Sequence, residues 1–181
     1  MNQAIQQTRH WLEQVVIAHT FCPFAQREFE QDRIYYHIMA ADFKQSLIEL
    51  ETEIQRLDQQ PNIETSLLIY PQSLDDFEEF LDYHHLVEHL LQQLGYEGIY
   101  QVATFHPHYC FADATEDDPA NYTNRSPYPT LHILREASLE KALQNHPNPE
   151  AIPERNIKYA RAEGIDKMRD SLARICTHES R

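Results

Sequence analysis

The segment Phe105–Glu136, FHPHYCFADATEDDPANYTNRSPYPTLHILRE, gathers three histidines, a cysteine, several carboxylates and amides, and two arginines around few apolar residues. Those side chains suit acid–base chemistry on an anion. An imidazole exchanges protons near neutral pH, a carboxylate orients it or acts as base, and a guanidinium fork recognises carboxylate or phosphate. His106 is the expected proton carrier, with Asp117 or Asp118 as its carboxylate. Arg125, Arg135 and Arg155 are the expected anion holders, and Asn121, Tyr122, Asn124 and His132 complete the candidate ligand-binding set. Cys22, in TFCPFA, is a candidate nucleophile if His106 or His19 can take its proton.

Each assignment has a plainer competitor. Asp and Asn bond their own backbone in loops, arginines pair with neighbouring carboxylates such as Glu136 or Glu154, and a histidine in an apolar strand is usually a satisfied core group. A free cysteine between Phe21 and Phe24 reads more readily as a small buried hydrophobe than as a nucleophile. His106, His108 and Cys110 alternate, which would put three metal-ligating side chains on one face of a continuing strand. Pro107 interrupts that strand, and H-x-H-x-C is no recognised ligand spacing. The segment has no glycine, so phosphate-cradling glycine loops and EF-hands are excluded. Asp75–Glu79, DDFEE, reads as the solvated start of a helix. His84 and His85 on that helix are adjacent, and adjacent helical residues do not face each other.

The elements that must position these groups follow from periodicity. Residues 3–19 read as a helix with Ile5, Leu12, Val15, Val16 and His19 near one face, ending at Cys22-Pro23. Arg33–Met39 reads as a strand. Asp42 caps a helix carrying Phe43, Leu47, Leu50, Ile54 and Leu57, with Gln45 at the reciprocal capping position. Ser66–Tyr70 is a buried strand, and Ser73 caps a helix through Phe80, Tyr83, Val87, Leu90 and Leu94 that Gly95 ends. Tyr100–Phe105 and Thr130–Leu134 are strands separated by a long polar loop. Helices follow at 138–145, 153–163 and 166–176. The fold class is α/β: one domain over 1–181, with a small mostly parallel or mixed sheet of about four strands flanked by helices. Tyr109, Phe111, Tyr122 and Tyr128, with Pro119, Pro127 and Pro129, give the loop surface to bury and stiff backbone, so it reads as ordered. Ligands of open α/β sheets sit beyond the carboxyl ends of parallel strands, which places the expected pocket at His106.

A chain of 181 residues buries roughly two thirds of its unfolded surface. Its formal charge of −14 argues against nonspecific binding to nucleic acid or anionic membrane, which both use a positive surface. No signal-peptide core and no run near the ~20 apolar residues of a membrane span is present, so the reading is cytoplasmic. Cys22, Cys110 and Cys176 are odd in number and widely spaced, as expected of reduced thiols.

Several words of the sequence together resemble an uncharacterised bacterial domain-of-unknown-function family over nearly the whole chain. They are Cys22-Pro23-Phe24-Ala25, Phe105-His106-Pro107 with Tyr109 and Phe111-Ala112, Asp117-Asp118, the run Asn121 to Pro129, Leu131-His132 with Leu134-Arg135-Glu136, and Ile152 to Asn156. His108 and Cys110 stand outside these words. The resemblance implies the extent of the domain and carries no activity, metal or cofactor. The expectation from the residues is an enzyme on a small anionic metabolite. The alternatives are a noncatalytic ligand- or protein-binding module and a metal-dependent hydrolase or redox protein.

Overall fold

The computed structural model describes residues 2–177; Met1 and residues 178–181 of the expected domain lie outside it. The N-terminal helix changes its winding midway. Helix α1, Gln3–Trp11, is capped by Asn2, whose side chain accepts the Ala4 N–H at 2.8 Å. From Leu12 to Ile17 the chain is a π-helix, with the Ala18 N–H reaching the Glu13 carbonyl at 3.1 Å. The wider turn rotates the buried stripe, so Gln7, Thr8, Trp11, Leu12, Val15 and Val16 are buried while Ile5 is only partly so. Thr20, at φ 56°, then reverses the chain. A β-branched residue is strained in this left-handed region. A short helix not expected from the sequence follows, α2, Ala25–Glu30.

Beyond it the expected order holds, with strand ends and the last three helices within two residues of expectation. The elements are β1 (Ile34–Ile38), α3 (Phe43–Gln59), β2 (Thr65–Ile69), α4 (Phe77–Gln93), β3 (Tyr100–Phe105), β4 (Thr130–Arg135), α5 (Glu136–Gln144), α6 (Ile152–Glu163) and α7 (Ile165–Thr177). Asp42 caps α3 by accepting the Gln45 N–H at 2.9 Å, but the Gln45 side chain turns to Glu49 and forms no reciprocal bond. Asp76, rather than Ser73, caps α4, accepting the Glu79 N–H at 3.0 Å. Leu74 stands between them at φ 61°, where no right-handed helix can begin.

The sheet is mixed, in the order β1-β2-β4-β3, with β1 and β2 parallel and β4 antiparallel to both its neighbours. Strands β1, β2 and β3 therefore all run one way, and β4 runs back between β2 and β3. Alternate residues face two cores. On the first face, Leu68, Leu131 and Ile133 pack against Leu50, Ile54 and Leu57 of α3 and Phe80, Tyr83 and Val87 of α4. On the second, Ile34 and Leu67 join Trp11, Leu12, Val15 and Val16, with Ala160 of α6 and Met168 and Ile175 of α7. α5 buries none of its residues fully, so it covers its part of the second face loosely.

Leu131 is fully buried in the central strand. Leu131→Ala is expected to lower the unfolding free energy by about 2–5 kcal/mol, read as a lower urea midpoint at unchanged slope. A loss below about 1 kcal/mol would contradict the close packing of the first face.

Candidate functional site

Two stretches distant in sequence meet at the turn that carries Cys22. Arg155, in the first turn of α6, donates to the Thr20 carbonyl, and Asn156 Nδ2 donates to the Phe21 carbonyl at 2.7 Å. The strained turn is thus clamped from α6. Cys22 follows, its carbonyl accepting the Ala25 N–H at 3.3 Å. Burial pushes its thiol pKa up, and the nearby backbone N–H groups of Phe24 and Ala25 pull more weakly the other way. Cys22 is a neutral thiol at pH 7.

His132 stands mid-strand on β4, facing the second core. Thr65 Oγ1 lies 2.5 Å from the Ile133 carbonyl and 2.6 Å from His132 Nε2. The carbonyl can only accept, so the Thr65 hydroxyl donates to it and accepts from Nε2–H. That leaves Nδ1 as a bare acceptor with no partner among the described residues. Burial lowers the ring's pKa to about 4, which keeps it neutral.

Cys22 and His132 both line a cavity of about 730 Å³ between the second sheet face and the π-helix, α2 and α5. Its size is that of a small-molecule site. Trp11, Leu12, Val16, Phe24, Leu67 and Phe105 make the walls largely apolar, and Leu139 and Ala142 of α5 line it from above. A π-helical turn in the lining is notable, because such turns collect at functional sites. Arg27, Glu28, Arg33 and Glu64 form a charged end, and Lys141 of α5 adds a further cation to the lining. Arg33 is neutralised by Glu28 at 3.0 Å and Glu64 at 2.5 Å, whereas Lys141 has no carboxylate partner among the described residues.

This charged end lies at the amino ends of β1 and β2, opposite the expected position beyond their carboxyl ends. At the carboxyl ends the long loop fills the space itself. Asn121, fully buried, accepts the Phe111 N–H at 3.0 Å and donates to the carbonyls of Thr115 at 2.8 Å and Glu116 at 3.3 Å. Arg125 donates to the carbonyls of Tyr109 at 3.1 Å and Glu116 at 2.9 Å and stacks over the buried Tyr122 ring. Asn124 reaches the Thr104 carbonyl at 3.4 Å. Asp118 caps the 3₁₀ helix Pro119–Thr123 through the Ala120 N–H and pairs with Arg161 at 2.7 Å, which holds its carboxyl below the usual range. Asp117 is exposed and does not line the cavity.

His106 is fully buried against the rings of Phe77 and Phe80. Its Nδ1 accepts the His108 N–H at 3.0 Å, so the proton sits on Nε2 and is donated to the Leu74 carbonyl at 3.0 Å. Burial lowers its pKa. With both nitrogens engaged it pins the strained Leu74 turn, and the alternating trio with His108 and Cys110 offers no converging ligand set. Arg135 likewise donates to carbonyls, those of Leu57 at 2.5 Å and Ile63 at 3.1 Å, capping the C-terminal end of α3.

Of the candidate site residues, the structure brings Cys22, His132 and Arg135 to one cavity. His106, Asp118, Asn121, Tyr122, Asn124, Arg125 and Arg155 are engaged in holding loops and turns. The cavity-lining Trp11, Phe24, Thr65 and Lys141 escaped the sequence reading; Phe24, beside Cys22 in CPFA, carried the one local hint.

The unfolded chain protonates a histidine near pH 6.5, and His132 in the fold only near 4. Between these values the unfolded state binds the extra proton, so stability is complete above pH 6.5 and falls as the pH drops. The loss from pH 6.5 to 4 is expected to be about 3 kcal/mol smaller in His132→Gln. Parallel curves for the two proteins would show that His132 takes up its proton in the fold. Asn156→Ala, which frees the Phe21 carbonyl, is expected to speed alkylation of native Cys22 severalfold; an unchanged rate would mean that α6 does not hold the Cys22 turn.

No curated protein and no solved structure matches this chain. The family model for DUF1415, proteins of unknown function, matches residues 3–170. With nearly its whole length covered, the chain belongs to the DUF1415 family.

Proposed function

We propose that this protein is a noncatalytic binder of a small amphiphile, apolar along its body and anionic at one end. The observation that carries this reading is the cavity of about 730 Å³, apolar along the π-helix and sheet and charged at one end. The lining holds Arg27, Arg33, Arg135 and Lys141 against two carboxylates, Glu28 and Glu64, in a chain of formal charge −14. A local positive excess on an acidic protein favours an anionic ligand end near Lys141. The bare Nδ1 of His132 suits a hydroxyl or amide donor partway along the ligand.

Binding is favoured over acid–base catalysis because His106 has both nitrogens engaged and Asp117 lies off the cavity. The enzymatic alternative rests on Cys22, whose thiol lines the same cavity as His132. We place the protein in the bacterial cytoplasm, without nucleic-acid or membrane partners, supported by its acidity and by three free cysteines. Among the described residues no helix is long and apolar enough to cross a membrane.

Trp11 is the one tryptophan of the chain and lines the cavity, so its fluorescence reports occupancy. Straight-chain carboxylates of increasing length are expected to change it saturably, with affinity rising roughly fourfold per methylene until the cavity is full. Ala103→Phe, which projects a ring into the cavity, is expected to weaken the response, most for the longest chains, and Lys141→Gln to weaken carboxylates but not the matching alcohols. No response with any carboxylate, together with rapid native alkylation of Cys22, would favour thiol chemistry instead.

A further inference from the structure

Helix α4 carries the run His84-His85-Leu86-Val87-Glu88-His89, in which Val87 faces the core while His85, Glu88 and His89 are exposed and His84 lies at the edge. Neighbouring helical residues diverge by about 100°, which by itself keeps His84 and His85 apart. Glu88 changes this. It comes four residues after His84 and three after His85, so it projects between them, about 40° from one and about 60° from the other. The two imidazole rings stand 5.9 Å apart, and His84 Nε2 is 3.7 Å from Glu88 Oε1. One ligand atom from each of the three residues lies within 4.8 Å of the others.

The surroundings favour a site over a chance surface cluster. His84 is partly buried and its Nε2 lies 3.3 Å from the Val102 carbonyl of β3; an Nε2–H donated there fixes the ring and leaves Nδ1 as the nitrogen for a metal. His85 and Glu88 are exposed and free to adjust. Zinc–ligand bonds of about 2.0–2.1 Å put tetrahedral ligand atoms about 3.4 Å apart. Closing from 4.8 Å is within the reach of rotamer changes in exposed side chains. Two imidazoles and a carboxylate suit zinc-class ions, whereas magnesium and calcium prefer oxygen sets.

We propose that His84, His85 and Glu88 form a binding site for a divalent transition-metal cation of the zinc class on the outer face of α4. Three protein ligands leave the rest of the coordination shell to water or to another side chain. His89, four residues after His85 and exposed, flanks the site as a further donor. The site is separate from the cavity, because α4 covers the first sheet face and the cavity lies on the second.

The test uses untagged protein titrated calorimetrically with Zn²⁺ alone at neutral pH. One equivalent is expected to bind, weakened at least about tenfold in His85→Ala and in Glu88→Gln, since a direct ligand matters no less than the outer-shell partners that tune such sites. Both substitutions change exposed side chains, and circular dichroism checks that the fold is retained. Co²⁺ in place of Zn²⁺ is expected to give visible ligand-field bands without thiolate charge-transfer absorption. Three results would overturn the site: no Zn²⁺ binding by the unmodified protein, full binding in the combined His84→Ala, His85→Ala, Glu88→Gln variant, or a thiolate band from Co²⁺.

Discussion

Strand β4 is hydrogen-bonded along both edges, to β2 and to β3, and the sheet is continuous only through it. Phe105, which ends β3, pairs with Thr130, which begins β4, so the chain must leave and re-enter the sheet at one point. Segment 106–129 has to make that return over the sheet end, without a glycine, while satisfying its own backbone polar groups. This explains its composition. Asn121 serves one loop N–H and two carbonyls, Arg125 serves two more, and Asp118 caps the 3₁₀ helix. Trp11 Nε1 binds the Arg125 carbonyl at 2.9 Å, joining the loop to α1. His106 then ties the start of the loop to Leu74 ahead of α4.

The two faces of the sheet are covered unequally, and the candidate site is the consequence. α3 and α4 are long amphipathic helices whose stripes close the first face, further locked by the buried Ser46–Tyr83 hydrogen bond at 2.6 Å. The second face is covered by pieces. The π-helix, α6 and α7 pack over one part, and the short α2 and the loosely seated α5 roof the remainder. Space is left where these pieces meet, and it is lined by Cys22, His132 and Trp11. The Arg155 and Asn156 clamp on the Thr20–Phe21 turn sets the geometry of that lining from α6.

Much of the architecture was legible in the residues. The stripe Leu50, Ile54, Leu57 of α3, the Asp42 cap, the apolar run of β2 and the Gly95 stop of α4 each act through neighbours a few positions away, and such local patterns survive folding. That the 106–129 loop is ordered was also legible, in its aromatics and prolines. The π-helix and α2 were not, because each follows from packing against the second face rather than from periodicity. Ser73 does not cap α4 because Leu74, in the left-handed region and held by His106 at its carbonyl, stands between it and the helix start. Adjacency along the helix separates His84 from His85, yet one ligand atom from each and one from Glu88 lie within 4.8 Å of one another.

The sequence by itself determined which side chains carry polarity and charge, which stripes are buried, and hence the α/β elements and their order. What each polar group is bonded to was decided only by tertiary structure. An arginine that binds an anion and one that caps carbonyls are the same residue with the same charge, and Arg125, Arg135 and Arg155 all meet carbonyls brought to them from elsewhere in the chain. His106 and His132 are likewise equivalent as residue types. One ends with both nitrogens engaged and the other with Nδ1 bare beside a cavity, because hydrogen-bond partners in a fold come from long-range packing that no local pattern records.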